Sequence, residues 1–155
     1  MELPKRQQLP HTPPAFVSAG EVYFLTICGE PRGGNQFAGE LAWTAIVAAA
    51  QHYHRIGRWH CRLLLAMPDH LHMLASFPVN GNMRRVVTAW KHFLARDARF
   101  VWQRDFFDHR LRSHESLDEK SAYIRANPAR AGLVKRAEDW AFVWTPPDIV
   151  ATPMS

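Results

Sequence analysis

The sequence is poor in cysteine and has no long apolar run. Its two cysteines, Cys28 and Cys61, form no CxxC pair, so neither a disulfide framework nor a cysteine-rich zinc module is indicated. Two buried free thiols are expected instead, with a thiol in a histidine-rich metal site as the alternative. No stretch approaches the roughly 18 consecutive apolar residues of a membrane-spanning helix. The first six residues also lack the apolar segment of a signal peptide. The sequence therefore predicts a cytoplasmic protein with no membrane partner.

Acidic residues are scarce where basic residues are dense. The net charge is +5, from 19 Lys and Arg against 14 Asp and Glu. Between Arg84 and Arg112, eight basic residues face three acids, whereas the rest of the chain carries eleven of each. The whole excess of positive charge therefore lies in one segment. This favours an anionic partner such as nucleic acid, although a solvated surface would give the same pattern.

The pattern of apolar residues predicts one α+β domain. The 155 residues suit a single domain, and the hydrophobic share of 47% suits a real core. The expected strands are 21–28, 59–67, 70–77 and about 105–111. The expected helices are 38–55 with Gly57 at its end, 83–99, and a third that begins at the capping box 116–119 and is interrupted at Pro128. This order predicts a sandwich in which an antiparallel sheet carries helices on one face.

The domain is expected to span residues 21–138. A proline-rich arm, residues 1–20, precedes it and has a basic tip at Lys5 and Arg6. The tail, residues 139–155, contains three of the aromatic residues, and part of it is expected to pack on the domain.

Two histidines, His70 and His72, alternate on one predicted strand. Residues two apart on a strand point to the same face, with Cα atoms about 7 Å apart, so the two imidazoles can converge on one metal ion. The alternative is a pair of exposed strand histidines. His52 and His54 have the same spacing within a predicted helix, where residues two apart point in different directions. That second pair is not expected to chelate a metal.

Tyr123 is one of only three tyrosines and lies on the third predicted helix. Asn127 stands four residues later, on the same helical face, where its side-chain oxygen could complete the metal site. A phenol is a weak nucleophile at neutral pH because its pKa is about 10. A nearby divalent cation and cationic side chains would activate it. The alternative is a packing tyrosine, with Asn127 as a helix cap before Pro128.

Three segments carry a family resemblance. Residues 67–72 resemble the MPNHxH element of the HUH single-tyrosine transposases. Residues 102–112 resemble the WQxxFxDHxLR stretch of that family, and residues 123–134 resemble its YIxxNPxRAGLV helix. An asparagine four residues after the tyrosine points to the REP-associated tyrosine transposases within the group. Asp69 departs from the pattern, because many relatives have Asn there.

The resemblance implies a ferredoxin-like α+β fold and a metal-dependent endonuclease and strand transferase. Such enzymes bind single-stranded DNA hairpins, and the tyrosine, here Tyr123, attacks a phosphodiester to leave a 5′-phosphotyrosine link and a free 3′-hydroxyl. The implied metal ligands are His70, His72 and Asn127. Imidazole, amide and water ligands suit Mg²⁺ or Mn²⁺. The group includes both monomers and homodimers, and a nucleoid-associated location in the cytoplasm is implied.

Basic side chains are expected to neutralise the DNA phosphates. The predicted contacts are Lys5, Arg6, Arg84, Arg85, Lys91, Arg96, Arg104, Arg110, Arg112 and Arg130. Six tryptophans offer surfaces for base stacking. Core packing is nevertheless the expectation for each of them, and above all for Trp90.

Three other functions stay open. A hairpin-binding protein that no longer cuts would not require the nucleophile Tyr123. A small metallohydrolase would use a bound water, and its activity would survive the loss of Tyr123. An RNA-binding ferredoxin-like domain would carry aromatic pairs on its central strands, where His70 and His72 stand in this sequence.

Overall fold

The computed structural model describes residues 21–112 and 114–147. The predicted arm, with Lys5 and Arg6, lies outside the described residues. The strands are β1 (Tyr23–Cys28), β2 (His60–Ala66), β3 (His70–Ser76), β4 (Phe107–Arg110) and β5 (Val143–Trp144). The α-helices are α1 (Glu40–Arg55), α2 (Met83–Ala98) and α3 (His114–Arg130), and a short 3₁₀ helix spans Ala137–Asp139. None of the described helices is both long and apolar enough to cross a membrane.

The strands form one antiparallel sheet in the order β4-β1-β3-β2-β5. The elements from β1 to β4 follow the βαββαβ order of a ferredoxin-like fold. The predicted α+β class and antiparallel sheet are therefore confirmed. The strand β5 comes from the predicted tail and pairs with β2, with Trp144 opposite Leu64. Part of the tail thus packs on the domain, as the aromatic residues indicated.

One face of the sheet is covered by α1 and α2. Ile46 of α1 and Val87 and Trp90 of α2 are fully buried in a core that also contains Leu64 and Met73 from the sheet. The expectation that Trp90 belongs to the core is confirmed. Each of the six tryptophans, all within the described residues, is buried or half-buried. None of them is therefore a fully exposed stacking surface.

The opposite face of the sheet carries α3. Leu63 and Leu65 of β2 and Leu74 of β3 alternate onto this face and pack with Ile124 of α3. The third helix thus lies apart from the single helical layer that the sequence predicted. The reason lies in the apolar run of β2, since consecutive leucines make a strand that is buried on both faces and needs a cover on each.

The start of α3 differs from the prediction. The helix begins at His114, so Ser116 lies inside it and does not open it.

The end of α3 differs as well, because the helix continues through Pro128 to Arg130 instead of being interrupted. Gly132 lies two residues beyond this end, with a φ of 78° that is costly for other residues. The Leu133 amide donates to the Pro128 carbonyl at 2.9 Å, and the Gly132 amide donates to the Ala129 carbonyl at 3.0 Å. This pair of bonds is a Schellman motif, which satisfies the last carbonyls of the helix.

Both cysteines are buried free thiols, as predicted. Burial raises the pKa of Cys61 to about 12, which makes this thiol inert. Neither cysteine lines the cavity described below.

Lys91 corrects one of the predicted DNA contacts. It is only 7% exposed, and its Nζ donates to the carbonyl oxygens of Gln103, Arg104 and Asp105 at 2.9, 3.3 and 3.4 Å. An ammonium group held by three carbonyls inside the fold has no donor left for a phosphate. Lys91 therefore ties α2 to the segment before β4, and its assignment as a DNA contact is wrong.

Replacing Lys91 with methionine is expected to cost about 1–3 kcal/mol of the free energy of unfolding, because partly buried carbonyls lose their donor. Urea denaturation measures this change. Arg96→Met on the exposed side of the same helix is the matched control and should stay within about 0.5 kcal/mol of the wild type. Equal destabilisation by the two substitutions would contradict the structural role given to Lys91.

Candidate active site

A cavity of about 490 Å³ lies between α3 and the face of the sheet that α3 covers. Four residues selected from the sequence line it: His70, His72, Tyr123 and Asn127. The other lining residues are Phe24, Thr26, Met67, Arg130 and Ala131. The structure thus brings the predicted nucleophile and the predicted metal ligands to one place.

The two histidines project from β3 with their rings close together. The ring centroids of His70 and His72 are 4.7 Å apart, and the ring planes are nearly perpendicular at 79°. Thr26 of β1 lies directly opposite His72 in the sheet. Its Oγ1 is 3.2 Å from His72 Nδ1 and holds that ring in place.

Asp69 fixes the turn from which β3 starts. Its Oδ2 accepts hydrogen bonds from the Gly33 amide at 2.7 Å and from Arg32 Nε at 2.9 Å. Its Oδ1 lies 2.8 Å from His70 Nδ1. Burial alone would raise the pKa of this carboxyl. The bonds from Arg32, Gly33 and His70 outweigh burial and hold that pKa well below its usual range.

The histidine contacts leave one nitrogen of each ring for a metal. Both rings use Nδ1 within the protein, which leaves Nε2 of His70 and of His72 as the available lone pair. A carboxylate behind an imidazole is the arrangement that orients metal-binding histidines. Among the described residues, no group of three His, Cys, Asp or Glu side chains is placed to hold a metal ion. A third ligand beside the two histidines would have to be of another type, and Asn127 offers an amide oxygen in the same cavity.

His72 is neutral at physiological pH. Burial lowers its pKa to about 3, and His70, Arg130 and Lys120 add to the shift. A neutral imidazole keeps the lone pair that a metal ligand needs.

Tyr123 is surrounded by cations. The residues Lys120, Tyr123, Asn127 and Arg130 follow one side of α3 at spacings of three or four. The tyrosine side chain is 49% exposed, so a substrate can reach it. The guanidinium carbon of Arg130 lies 4.1 Å from the centre of the Tyr123 ring, and Lys120 Nζ lies 5.0 Å from it. Two cations this close to the ring could bind an anionic group such as a phosphate beside Tyr123.

Sequence reasoning missed four residues of this arrangement. Lys120 lies one turn before Tyr123, and helical spacing alone could have identified it. Phe24 and Thr26 reach the cavity only through the pairing of β1 with β3, and Arg32 reaches Asp69 from a distant loop. No local signal in the sequence shows these three contacts.

The other predicted DNA contacts lie away from the cavity. Arg84, Arg85 and Arg96 are exposed on α2, which covers the opposite face of the sheet. Arg104, Arg110 and Arg112 are exposed before, on and after the edge strand β4. Arg110 also pairs with Glu21 at 2.9 Å. Among the predicted DNA contacts that the structure describes, Arg130 alone lines the cavity. Contact of the exposed arginines of α2 and of the β4 edge with DNA stays a prediction.

The low pKa of Asp69 predicts a pH-dependent contribution to stability. A carboxyl whose pKa is lower in the folded state stabilises the fold above its unfolded pKa of about 3.9, and the effect fades as the pH falls through the folded value. Asp69→Asn should therefore cost about 1–3 kcal/mol at pH 7, since hydrogen bonds to a charged group are lost. Urea denaturation from pH 7 to pH 2, in the presence of a chelator, should show the two proteins converging at low pH. A difference that stays constant across this range would contradict the assignment.

Two curated proteins similar in sequence to this chain carry the same family name. No protein-family model matches the chain. It is 24% identical over 143 residues to a putative REP-associated tyrosine transposase of Haemophilus influenzae, covering 79% of this chain and 78% of that protein. It is 26% identical over 83 residues to a REP-associated tyrosine transposase of Escherichia coli K12, covering 50% of this chain and 49% of that protein.

The fold also matches a solved structure. A REP-associated tyrosine transposase bound to a REP hairpin superposes with a TM-score of 0.71 and 20% identity, covering 80% of this chain and 76% of that one. The α+β fold that the three sequence motifs imply is the fold observed. In sequence and in fold, the chain is thus similar to the REP-associated tyrosine transposases.

Proposed function

We propose that this protein binds single-stranded DNA hairpins and cleaves and rejoins them through a covalent link to Tyr123. The observation that carries the proposal is the shared cavity, in which an exposed tyrosine meets two preoriented histidines and an amide side chain. Packing alone does not require this combination. The relatives support the proposal because they are named transposases and because the matched structure holds a REP hairpin.

The proposed cleavage is an exchange of esters. The Tyr123 oxygen attacks the scissile phosphorus, a new O–P bond forms, and the bond from phosphorus to the 3′ oxygen breaks. The phenolic proton passes to solvent, and the leaving 3′ oxygen takes up a proton. Rejoining reverses the step, because a 3′-hydroxyl attacks the phosphotyrosine and releases the Tyr123 phenol. No oxidant, nucleotide or other co-reactant is needed, since the phosphotyrosine stores the bond energy.

The cavity suits a Mg²⁺ or Mn²⁺ ion. His70 and His72 would hold it through Nε2, and Asn127 would hold it through its amide oxygen, with water completing the shell. A bound ion would polarise the phosphate and neutralise its charge. Asp69 and Thr26 orient the two imidazoles before any ion arrives, which lowers the cost of assembling the site.

The protein's own cations would hold the DNA. Lys120 and Arg130 lie over the Tyr123 ring, where the scissile phosphate would sit. The arginines of α2 and of the β4 edge do not line the cavity. We assign them to the hairpin and the flanking strand, together with Lys5 and Arg6 of the arm.

Tyr123→Phe is expected to abolish the covalent protein–DNA adduct while hairpin binding stays within about threefold of the wild type, since only the nucleophilic oxygen is lost. A denaturing gel after incubation with Mn²⁺ and a hairpin oligonucleotide measures the adduct, and a mobility-shift titration measures binding. Tyr53→Phe is the matched control, because that tyrosine packs against Trp59 in the helical layer.

Cutting that survives Tyr123→Phe would assign the chemistry to a metal-bound water and overturn the proposal. Binding without any cutting by the wild type, with either metal ion, would leave a hairpin-binding protein as the function.

Arg85→Gln on α2 is expected to weaken hairpin binding. It should also make the fall of log affinity with log salt less steep by about 1, because each phosphate contact releases about one counterion. Arg136→Gln is the control, since Arg136 lies near Glu138 and Asp139, with nitrogen–oxygen distances of 3.8 and 3.7 Å. An unchanged slope for Arg85→Gln would remove the exposed side of α2 from the DNA-binding surface.

A further inference from the structure

Arg130 occupies the side-chain oxygen of Asn127, which is the proposed third ligand of the metal. Its Nη2 donates a hydrogen bond to Oδ1 of Asn127 and a second one, at 3.1 Å, to the carbonyl oxygen of Tyr123. Its guanidinium also lies over the Tyr123 ring, 4.1 Å from the ring centre. One cationic side chain thus spans the proposed nucleophile and the proposed third ligand. All three residues line the same cavity.

We propose that Arg130 acts as an internal cation that competes with the metal for Asn127 until DNA draws it away. This inference rests on the proposed function, and it adds a coupling between DNA binding and metal binding. A divalent ion on Oδ1 of Asn127 would lie within a few ångströms of the guanidinium. Two cations at that separation repel each other strongly inside a partly enclosed site.

The guanidinium lies at the surface, where a DNA phosphate could reach it. Arg130 lies in the last turn of α3, and its side chain is exposed. Its present acceptors are neutral oxygens of Asn127 and Tyr123, whereas a phosphate offers charge-assisted, bidentate bonds that are stronger. A DNA phosphate placed at Tyr123 would therefore take Arg130 from Asn127 and leave the amide oxygen to the metal.

Reciprocity follows from this exchange. If DNA raises the affinity for the metal, then the metal must raise the affinity for DNA by the same factor. The cleavage site would thus be completed only on bound DNA, and the free protein would hold its metal weakly.

The affinity for Mn²⁺, measured by electron paramagnetic resonance of the free ion, tests the inference without any cleavage. All measurements use the Tyr123→Phe background, so that the DNA stays intact. Arg130→Gln should bind Mn²⁺ more tightly than the parent in the absence of DNA, by at least about fivefold, the lower end of usual coupling factors. Addition of a hairpin oligonucleotide with a single-stranded extension should tighten Mn²⁺ binding to the parent but hardly affect Arg130→Gln.

Two matched variants separate competition from simple loss of charge. Lys120→Gln removes the other cation near Tyr123, one that has no contact with Asn127 among its described interactions, and should change the Mn²⁺ affinity by a smaller factor. Arg125→Gln removes an exposed arginine of the same helix and should leave it unchanged. Arg130→Lys keeps the charge, and its Mn²⁺ affinity should lie between those of the parent and of Arg130→Gln. It serves as the main variant if Arg130→Gln does not fold.

The possible outcomes distinguish failure of the Arg130 inference from failure of the proposed function. Weaker or unchanged Mn²⁺ binding by Arg130→Gln, with adduct formation by the wild type intact, would overturn this inference alone and make Arg130 a support for Asn127. An equal effect of Lys120→Gln would also overturn it, in favour of a general charge effect. A wild type that neither binds Mn²⁺ nor forms an adduct would refute the proposed function as well.

Discussion

The packing of α3 on the sheet is the constraint on which the rest of the site depends. Ile124 is fully buried against the leucines on that face, a contact that stabilises by about 1.5–3 kcal/mol. Because Tyr123 precedes Ile124 in the helix, burying one side chain places the other at the rim of the cavity. Asn127 and Arg130 follow at helical spacing. Tyr123, the proposed nucleophile, is therefore positioned by the apolar contact of its neighbour in the helix.

The turn before β3 supplies the other half of the site. The Asp69 carboxylate binds the loop at Gly33 and also holds the His70 ring. The same carboxylate therefore stabilises the turn and orients His70, a proposed metal ligand. An asparagine at this position has a single acceptor oxygen, so it could not accept hydrogen bonds on both sides as the carboxylate does. The aspartate places a carboxylate behind the imidazole, which is the arrangement that orients metal-binding histidines in proteins.

Local patterns in the sequence predicted most of the elements and the four central residues. Alternation on a strand placed His70 and His72 on one face, and helical spacing placed Asn127 beside Tyr123. The consecutive leucines of β2 indicated a strand buried on both faces, but local patterns did not show which helix covers which face, so the prediction for α3 was wrong. Lys91 was also predicted to contact DNA. The sequence does not distinguish a buried lysine that binds three carbonyls from an exposed lysine of a basic helix. Partners such as Thr26 and Arg32 depend on long-range pairing, which one sequence does not contain.

Mapping of the covalent bond tests the central claim most directly. After incubation of the protein with Mn²⁺ and a hairpin oligonucleotide, nuclease and trypsin treatment should leave a short nucleotide on the peptide 121–125, since trypsin cuts after Lys120 and after Arg125. This peptide contains one tyrosine, Tyr123, so mass spectrometry identifies the site without ambiguity. The account predicts a nucleotide on this peptide in every preparation that has cut the DNA. Cut DNA together with an unmodified 121–125 peptide, or a nucleotide on any other peptide, would contradict it.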